Sequence, residues 1–171
     1  MTKRRNPLGA RKQDEWETPK YIFDWATQGY SINLDVCASA KNYKASPYIS
    51  KKQDGLKESW AGYRCWMNPP FSDIGSWVTK AVGEVWHNKG TEVVALLPAN
   101  TDTKWFHSIC GLFPIILLGP GRISFELNGK SQPGNPRGSM LVFFDNEPHS
   151  AISLKAPRAT IETVSLPEPP C

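Results

Sequence analysis

The chain has 171 residues, 40% of them apolar, enough for one well-filled core and too few for two. No run of about 18 apolar residues occurs, and residues 1–12 are basic and polar without an apolar stretch, which argues against a membrane span and a secretory leader and for a soluble cytoplasmic protein. A net charge of +4 permits a polyanionic partner without requiring one.

Residues 1–13 set Lys3, Arg4, Arg5, Arg11 and Lys12 among Gly and Pro. They read as a flexible basic arm, either a solubilising terminus or a phosphate contact. One domain is expected over 14–154, followed by a Pro-rich tail without periodicity over 155–171. Residues 20–28 carry Tyr21, Ile22, Trp25 and Ala26 at helical spacing, with Thr18 as N-cap, Pro19 in the first helical position and Gly29 as the stop. Residues 31–36 alternate and run into Asp35-Val36-Cys37-Ala38-Ser39, a strand ending in an acid and small residues. At the carboxyl end of a strand in an open α/β sheet, small residues admit a ligand close to the backbone, and a carboxylate receives an ammonium or hydroxyl. Simple capping by Asp35 accounts for the same pattern. Residues 41–60 are polar, and Asp54-Gly55 reads as a turn. About 32 residues separate Asp35 from Asn68, whereas one β-α-β unit takes about 30. The sheet must be abbreviated between them.

The apolar run Cys65-Trp66-Met67 stops at Asn68-Pro69-Pro70-Phe71. Proline lacks an N–H and fixes φ, so the strand ends at Met67 and a rigid extended turn follows. That turn sets an amide, the Pro69 carbonyl and an aromatic ring at fixed relative positions. Together they suit a planar ring bearing an exocyclic amine: the two oxygens accept its N–H groups and the aromatic face stacks on the ring. Residues 73–87 place Ile74, Trp77, Val78, Ala81, Val82, Val85 and Trp86 on one helical face. The uninterrupted run at 93–97 reads as a buried parallel strand, 104–112 as a helix and 115–118 as a strand. Segments 122–127 and 139–144 read as a hairpin whose long tip, 128–138, is nearly all turn formers. Arg122, Lys130 and Arg137, with Asn128, Gln132 and Asn135, are candidate contacts to phosphates and base edges, and a mobile surface loop accounts for the same composition. Cys37, Cys65, Cys110 and Cys171 show no Cys-x-x-Cys pair and no His at ligand spacing, so they read as reduced thiols, three of them core-like, and no metal is expected.

The ordered set Trp16-x-Thr18-Pro19, Asp35-Val36-Cys37-Ala38, Asp54-Gly55-Leu56, Asn68-Pro69-Pro70-Phe71, Leu97-Pro98-Ala99, Gly121-Arg122-Ile123-Ser124-Phe125 and Ser139-Met140-Leu141 is similar to the phage-type, Dam-like DNA N6-adenine methyltransferases over about residues 14 to 145. The resemblance implies an abbreviated Rossmann-like class I methyltransferase sheet with helices on both faces, S-adenosylmethionine as cofactor and double-stranded DNA as substrate. It implies cofactor contacts for Thr18, Pro19, Asp35, Val36, Cys37, Ala38, Asp54 and Asn68, and a catalytic role for Asn68, Pro69, Pro70 and Phe71. The first cofactor motif departs from its usual Asp-Pro-x-x-Gly: Val36 stands for Pro and no Gly follows. Transfer to cytosine N4 or to a protein glutamine fits the four-residue signature equally, and the departure leaves room for a catalytically idle DNA-binding relative.

Overall fold

The apolar run after Gly90 lies at the middle of a seven-stranded sheet, as its uninterrupted burial demands. The computed structural model describes residues 13–109, 112–146 and 152–155. In chain order these give α1 (Lys20–Ala26), β1 (Leu34–Ala38), β2 (Tyr48–Ser50), β3 (Arg64–Met67), a 3-10 turn (Phe71–Asp73), α2 (Ile74–His87), β4 (Glu92–Pro98) and α3 (Lys104–Ile109). There follow β5 (Ile115–Leu118), β6 (Glu126–Leu127), β7 (Lys130–Ser131), β8 (Ser139–Phe144) and β9 (Ile152–Lys155). The strand order is β2-β1-β3-β4-β8-β5-β9. Neighbours run parallel except β8, which is antiparallel to both β4 and β5. The architecture is mixed α/β. The basic arm expected at 1–13 and the tail expected at 155–171 fall almost wholly outside the described residues, as do Cys110 and Cys171.

Strand side chains alternate between faces, and the core divides accordingly. Cys65, Met67, Val93, Ala95, Leu97, Met140 and Val142 meet Trp77, Val78, Ala81 and Val85 of α2 on one face. Trp66, Val94, Leu96 and Leu141 meet Ile22 and Ala26 of α1 on the other. Each such aliphatic side chain, fully buried, contributes about 1.5–3 kcal/mol. Glu84 of α2 is also buried and is satisfied by Lys80 Nζ at 2.6 Å, Asn88 Nδ2 at 2.8 Å and the Trp60 N–H at 3.2 Å.

The expected strands at β1, β3, β4, β5 and β8 and the helix α2 are present. Between β1 and β3 there is no helix, only the short edge strand β2, which the polar character of 41–60 concealed. The expected pairing of 122–127 with 139–144 does not occur. Segment 139–144 is β8, inserted in the main sheet, while the two-residue strands β6 and β7 make a separate antiparallel hairpin. The whole of β8 is buried but Phe143, and it satisfies its backbone best between two long apolar strands. The helix at 20–28 ends at Ala26 and starts after Pro19, and the Thr18 side chain does not cap it.

The chain leaves β1 for the edge at β2, then returns past β1 to β3 on its other side. The carboxyl ends of β1 and β3 therefore lie side by side, with Leu34 against Cys65 and Asp35 against Trp66, and a crevice opens at this reversal of strand order.

Candidate active site

A cavity of about 850 Å³ fills that crevice, within the range of about 300–1,000 Å³ common for small-molecule sites. Its walls include the segment 14–18, the end of β1 from Asp35 to Ser39, the stretch 41–51 that leads to and through β2, the turn at 54–56, and the corner after β3 with Asn68, Pro70 and Ser72. Leu127 and Asn128 of the β6–β7 hairpin reach it from outside. Proline stops β3 at Met67, so Asn68 stands at the strand end beside the cavity. Its Nδ2 donates to the Trp16 carbonyl at 2.9 Å, which fixes the amide and turns the other atom away. That atom, Oδ1, is buried and has no partner among the described residues, and the same is true of Thr18 Oγ1. Both residues line the cavity. An unsatisfied buried polar atom costs about 1–3 kcal/mol, a cost that a ligand donor would remove.

The segment 14–18 is bound firmly across this corner. Asp14 accepts the Ser72 N–H at 2.9 Å and the Ser72 hydroxyl at 2.8 Å. The Trp16 ring stacks on Phe125 at 5.2 Å and 16°, and Phe71 meets both edge-on, at 6.2 Å and 81° to Trp16 and at 5.6 Å and 84° to Phe125. Glu17 exchanges backbone hydrogen bonds of 2.8 and 3.0 Å with Glu126 and accepts the Asn128 N–H on its carboxylate at 3.0 Å. Of the expected corner residues, Asn68 and Pro70 line the cavity; Pro69 is buried and the Phe71 ring packs with Trp16 and Phe125, and neither lines it.

Thr18, Asp35, Val36, Cys37, Ala38 and Asp54 all line the cavity, and Pro19 does not. The Asp35 carboxylate accepts the N–H groups of Lys44 at 2.9 Å and Cys37 at 3.2 Å, tying the end of β1 to the loop that follows. Burial raises its carboxyl to about 6, against the lowering effect of those two N–H groups and the nearby Lys44 ammonium. Burial likewise pushes the Cys37 thiol well above its usual range, so the thiol stays protonated and is a poor nucleophile. Asp54 pairs with Lys57 at 3.0 Å and takes a φ of 67° at its turn. The adjacent Gly55 has no room for a side chain: a Cβ there would lie 2.3 Å from the Val36 carbonyl oxygen and 2.8 Å from the Trp77 ring. The close approach that a glycine after β1 would allow is made here from the opposite wall.

Arg122, Lys130 and Arg137 are exposed, with no carboxylate paired to them among the described residues. The tip 128–138 is less free than its composition implies. Asn135, expected to reach bases, is buried; its Nδ2 donates to the Ile123 carbonyl at 3.2 Å, and its Oδ1 accepts the Arg137 N–H at 3.1 Å. Gln132 N–H bonds Phe125 O at 2.7 Å. Asp14, the Trp16 carbonyl and the cavity-lining Lys41, Lys44 and Lys51 went unassigned from sequence, and Gly55 was read only as part of a turn. Only the charge run from Lys41 to Lys52 carried a signal. Among the described residues no group of three or more His, Cys, Asp or Glu side chains could hold a metal ion, and no helix is long and apolar enough to cross a membrane.

Comparison with known proteins bears directly on this corner. The family model for DNA N-6-adenine-methyltransferase (Dam) matches residues 6–167. The DNA N-6-adenine-methyltransferase of Haemophilus phage HP1 (strain HP1c1) is 37% identical over 139 residues, 78% of this chain and 79% of the relative. The protein of the same name from Escherichia phage T1 is 32% identical over 142 residues, 82% of this chain and 58% of the relative. The matched stretch takes in the strap at 14–18, both strand ends and the Asn-Pro-Pro corner, and with it the chain belongs to the DNA N-6-adenine-methyltransferase (Dam) family.

Proposed function

We propose that this protein transfers a methyl group from S-adenosylmethionine to N6 of an adenine extruded from double-stranded DNA, at a specific site. The observation that carries the reading is Asn68, which lines the cavity: its Nδ2 is held by the Trp16 carbonyl and its Oδ1 is buried and unpartnered among the described residues. An acceptor so prepared takes one N–H of an exocyclic amine; the Pro69 carbonyl would take the other once the corner turns it toward the cavity, which Pro69 does not itself line. Two such bonds draw the nitrogen lone pair out of conjugation and direct it along one line. Family membership favours adenine N6 over cytosine N4 or a glutamine side chain. The sheet supports a Rossmann-like class I fold, because it has a strand-order reversal at the site and an antiparallel strand, β8, between β4 and β5. Residues 14–154 are read as one catalytic domain.

The cavity fits the donor on the chemistry of its lining. Asp35 has a carboxylate for an ammonium, Thr18 Oγ1 is an unpartnered buried hydroxyl, and Asp54 stands where a hydroxyl or ring N–H would be received. When bound, S-adenosylmethionine supplies an electrophilic methyl group on a sulfonium. Everything else is positioning and dipole alignment by the chain. Extruding the base costs a few kcal/mol, roughly. Stacking on Phe71 would recover part of that, and requires its ring to turn from Trp16 and Phe125 toward the cavity as the base enters. The test is Asn68→Ala, assayed by transfer of labelled methyl to DNA and by donor binding. The expected result is donor affinity kept and transfer reduced by about a hundred-fold or more; full transfer in that variant overturns the role.

A further inference from the structure

The Asn68 amide works only if its orientation holds, and the atom holding it is a backbone carbonyl 52 residues away in sequence. A carbonyl cannot be placed by its own chemistry, so something must fix the strap that carries it. Two residues before Trp16, Asp14 binds both the N–H and the hydroxyl of Ser72, the residue just past the Pro-Pro corner. The strap and the corner are thereby joined at two points, Asp14 to Ser72 and Trp16 to Asn68, with the Trp16 ring set against Phe71 between them. Asp14 itself is partly exposed, and no Lys or Arg pairs with it among the described residues. Among the described residues it therefore contributes acceptor geometry and no ion pair.

We propose that Asp14 is a positioning residue for methyl transfer: through Ser72 it locks the strap to the corner and so keeps the Asn68 Oδ1 presented to the amine. The proposal rests on the role given to Asn68 above. Removing the clamp leaves the Trp16 carbonyl free to drift, and a shift of about 1 Å at a reacting group costs up to about a hundred-fold in rate. Asp14 also borders the cavity, so the rival is that its carboxylate acts directly, as a charge toward a bound cation.

Asparagine separates the two. Asp14→Asn keeps an oxygen for the Ser72 N–H and turns an N–H₂ toward the Ser72 oxygen, preserving both bonds without the charge. Asp14→Ala preserves neither. With steady-state kinetics on DNA, donor binding by calorimetry and melting temperature on the full chain, Asp14→Ala is expected to lower kcat about 10- to 100-fold with donor affinity within about two-fold, and Asp14→Asn to recover most of kcat. Ser72→Ala is expected to lower kcat in the parent and to have no further effect in the Asp14→Ala background. Overturning results are Asp14→Asn as impaired as Asp14→Ala, additive losses with Ser72→Ala, or loss confined to donor affinity. If Asp14→Ala does not fold, Asp14→Asn and Ser72→Ala still decide: Ser72→Ala keeps its N–H on Asp14 and loses only the hydroxyl bond, so unimpaired kcat in it removes the hydroxyl from the clamp, and a kcat loss in Asp14→Asn rejects the clamp. Full activity in Asn68→Ala defeats the underlying reading, whereas normal kcat in Asp14→Ala beside an inactive Asn68→Ala defeats this proposal alone.

Discussion

Asp35 accepts two backbone N–H groups and lies near the Lys44 ammonium, all of which favour its ionised form, yet burial outweighs them and lifts its carboxyl from 3.8 to about 6. A carboxyl raised in the folded state stabilises the fold fully below its unfolded value near 3.8, and that contribution is lost as pH rises through about 6. At 1.36 kcal/mol per pH unit, the loss is about 3 kcal/mol for this one group. The protein tolerates a buried carboxylate at neutral pH, which is the form a cationic ligand needs. Two outcomes are expected. Urea unfolding of the wild type should lose stability between about pH 4 and 6 relative to Asp35→Asn. Donor affinity, measured by calorimetry, should rise with pH through about 6 in the wild type and stay flat in Asp35→Asn. A parallel pH dependence in the two proteins would separate Asp35 from the donor.

At the level of elements, the site depends on how closely the 54–56 turn lies on β1 and α2. Because the Val36 carbonyl is backbone and cannot swing aside, Gly55→Ala must displace β1 or the turn. Overpacking of this kind costs about 1–3 kcal/mol, read as a lower melting temperature together with weaker donor binding, since Val36 lines the cavity. Gly83 is the contrast: a Cβ at this helical position meets nothing within 4 Å, so Gly83→Ala should raise stability by about 0.5–1 kcal/mol and leave binding unchanged. The same contrast explains what was legible beforehand. Uninterrupted apolar runs announced β3, β4 and β8, and helical spacing announced α2, because the two faces of each buried strand and the one buried face of the helix leave their mark in the sequence. The partner of β8 was not legible, since an apolar run says that a strand is buried and not which strands flank it. Asn68 was marked by its prolines. That its Oδ1 is the free atom was not, because the deciding group is the carbonyl of Trp16, which has no side-chain signature. Thr18 misled for a related reason: a hydroxyl before a proline reads as a helix cap, and the fold instead buries it, in a residue that lines the cavity.

Over the whole molecule, cations stand on two sides of the same opening. Lys41, Lys44 and Lys51 border the cavity on the β1–β2 side, while Lys130 stands exposed on the hairpin whose Leu127 and Asn128 border it, with Arg122 and Arg137 exposed in the segments leading into and out of that hairpin. The hairpin is not an independent arm. Glu17 ties it by backbone to the strap that also carries the Trp16 carbonyl, so a duplex resting on Lys130 would be registered against Asn68 by a continuous hydrogen-bonded path. Cation–phosphate pairs of this kind position the duplex and carry no sequence information. Removing one such pair should reduce the slope of log affinity against log salt by about 0.9. The double variant Lys130→Glu, Arg137→Glu is therefore expected to bind DNA more weakly at every sequence tested, to lower the salt slope by about 2, and to keep near-normal donor affinity and kcat at saturating DNA. Fluorescence anisotropy across a salt series measures the first two and methyl incorporation the last. Unchanged affinity and slope would remove the hairpin from the DNA path and leave the opposite rim, with Lys41, Lys44 and Lys51, as the surface to test.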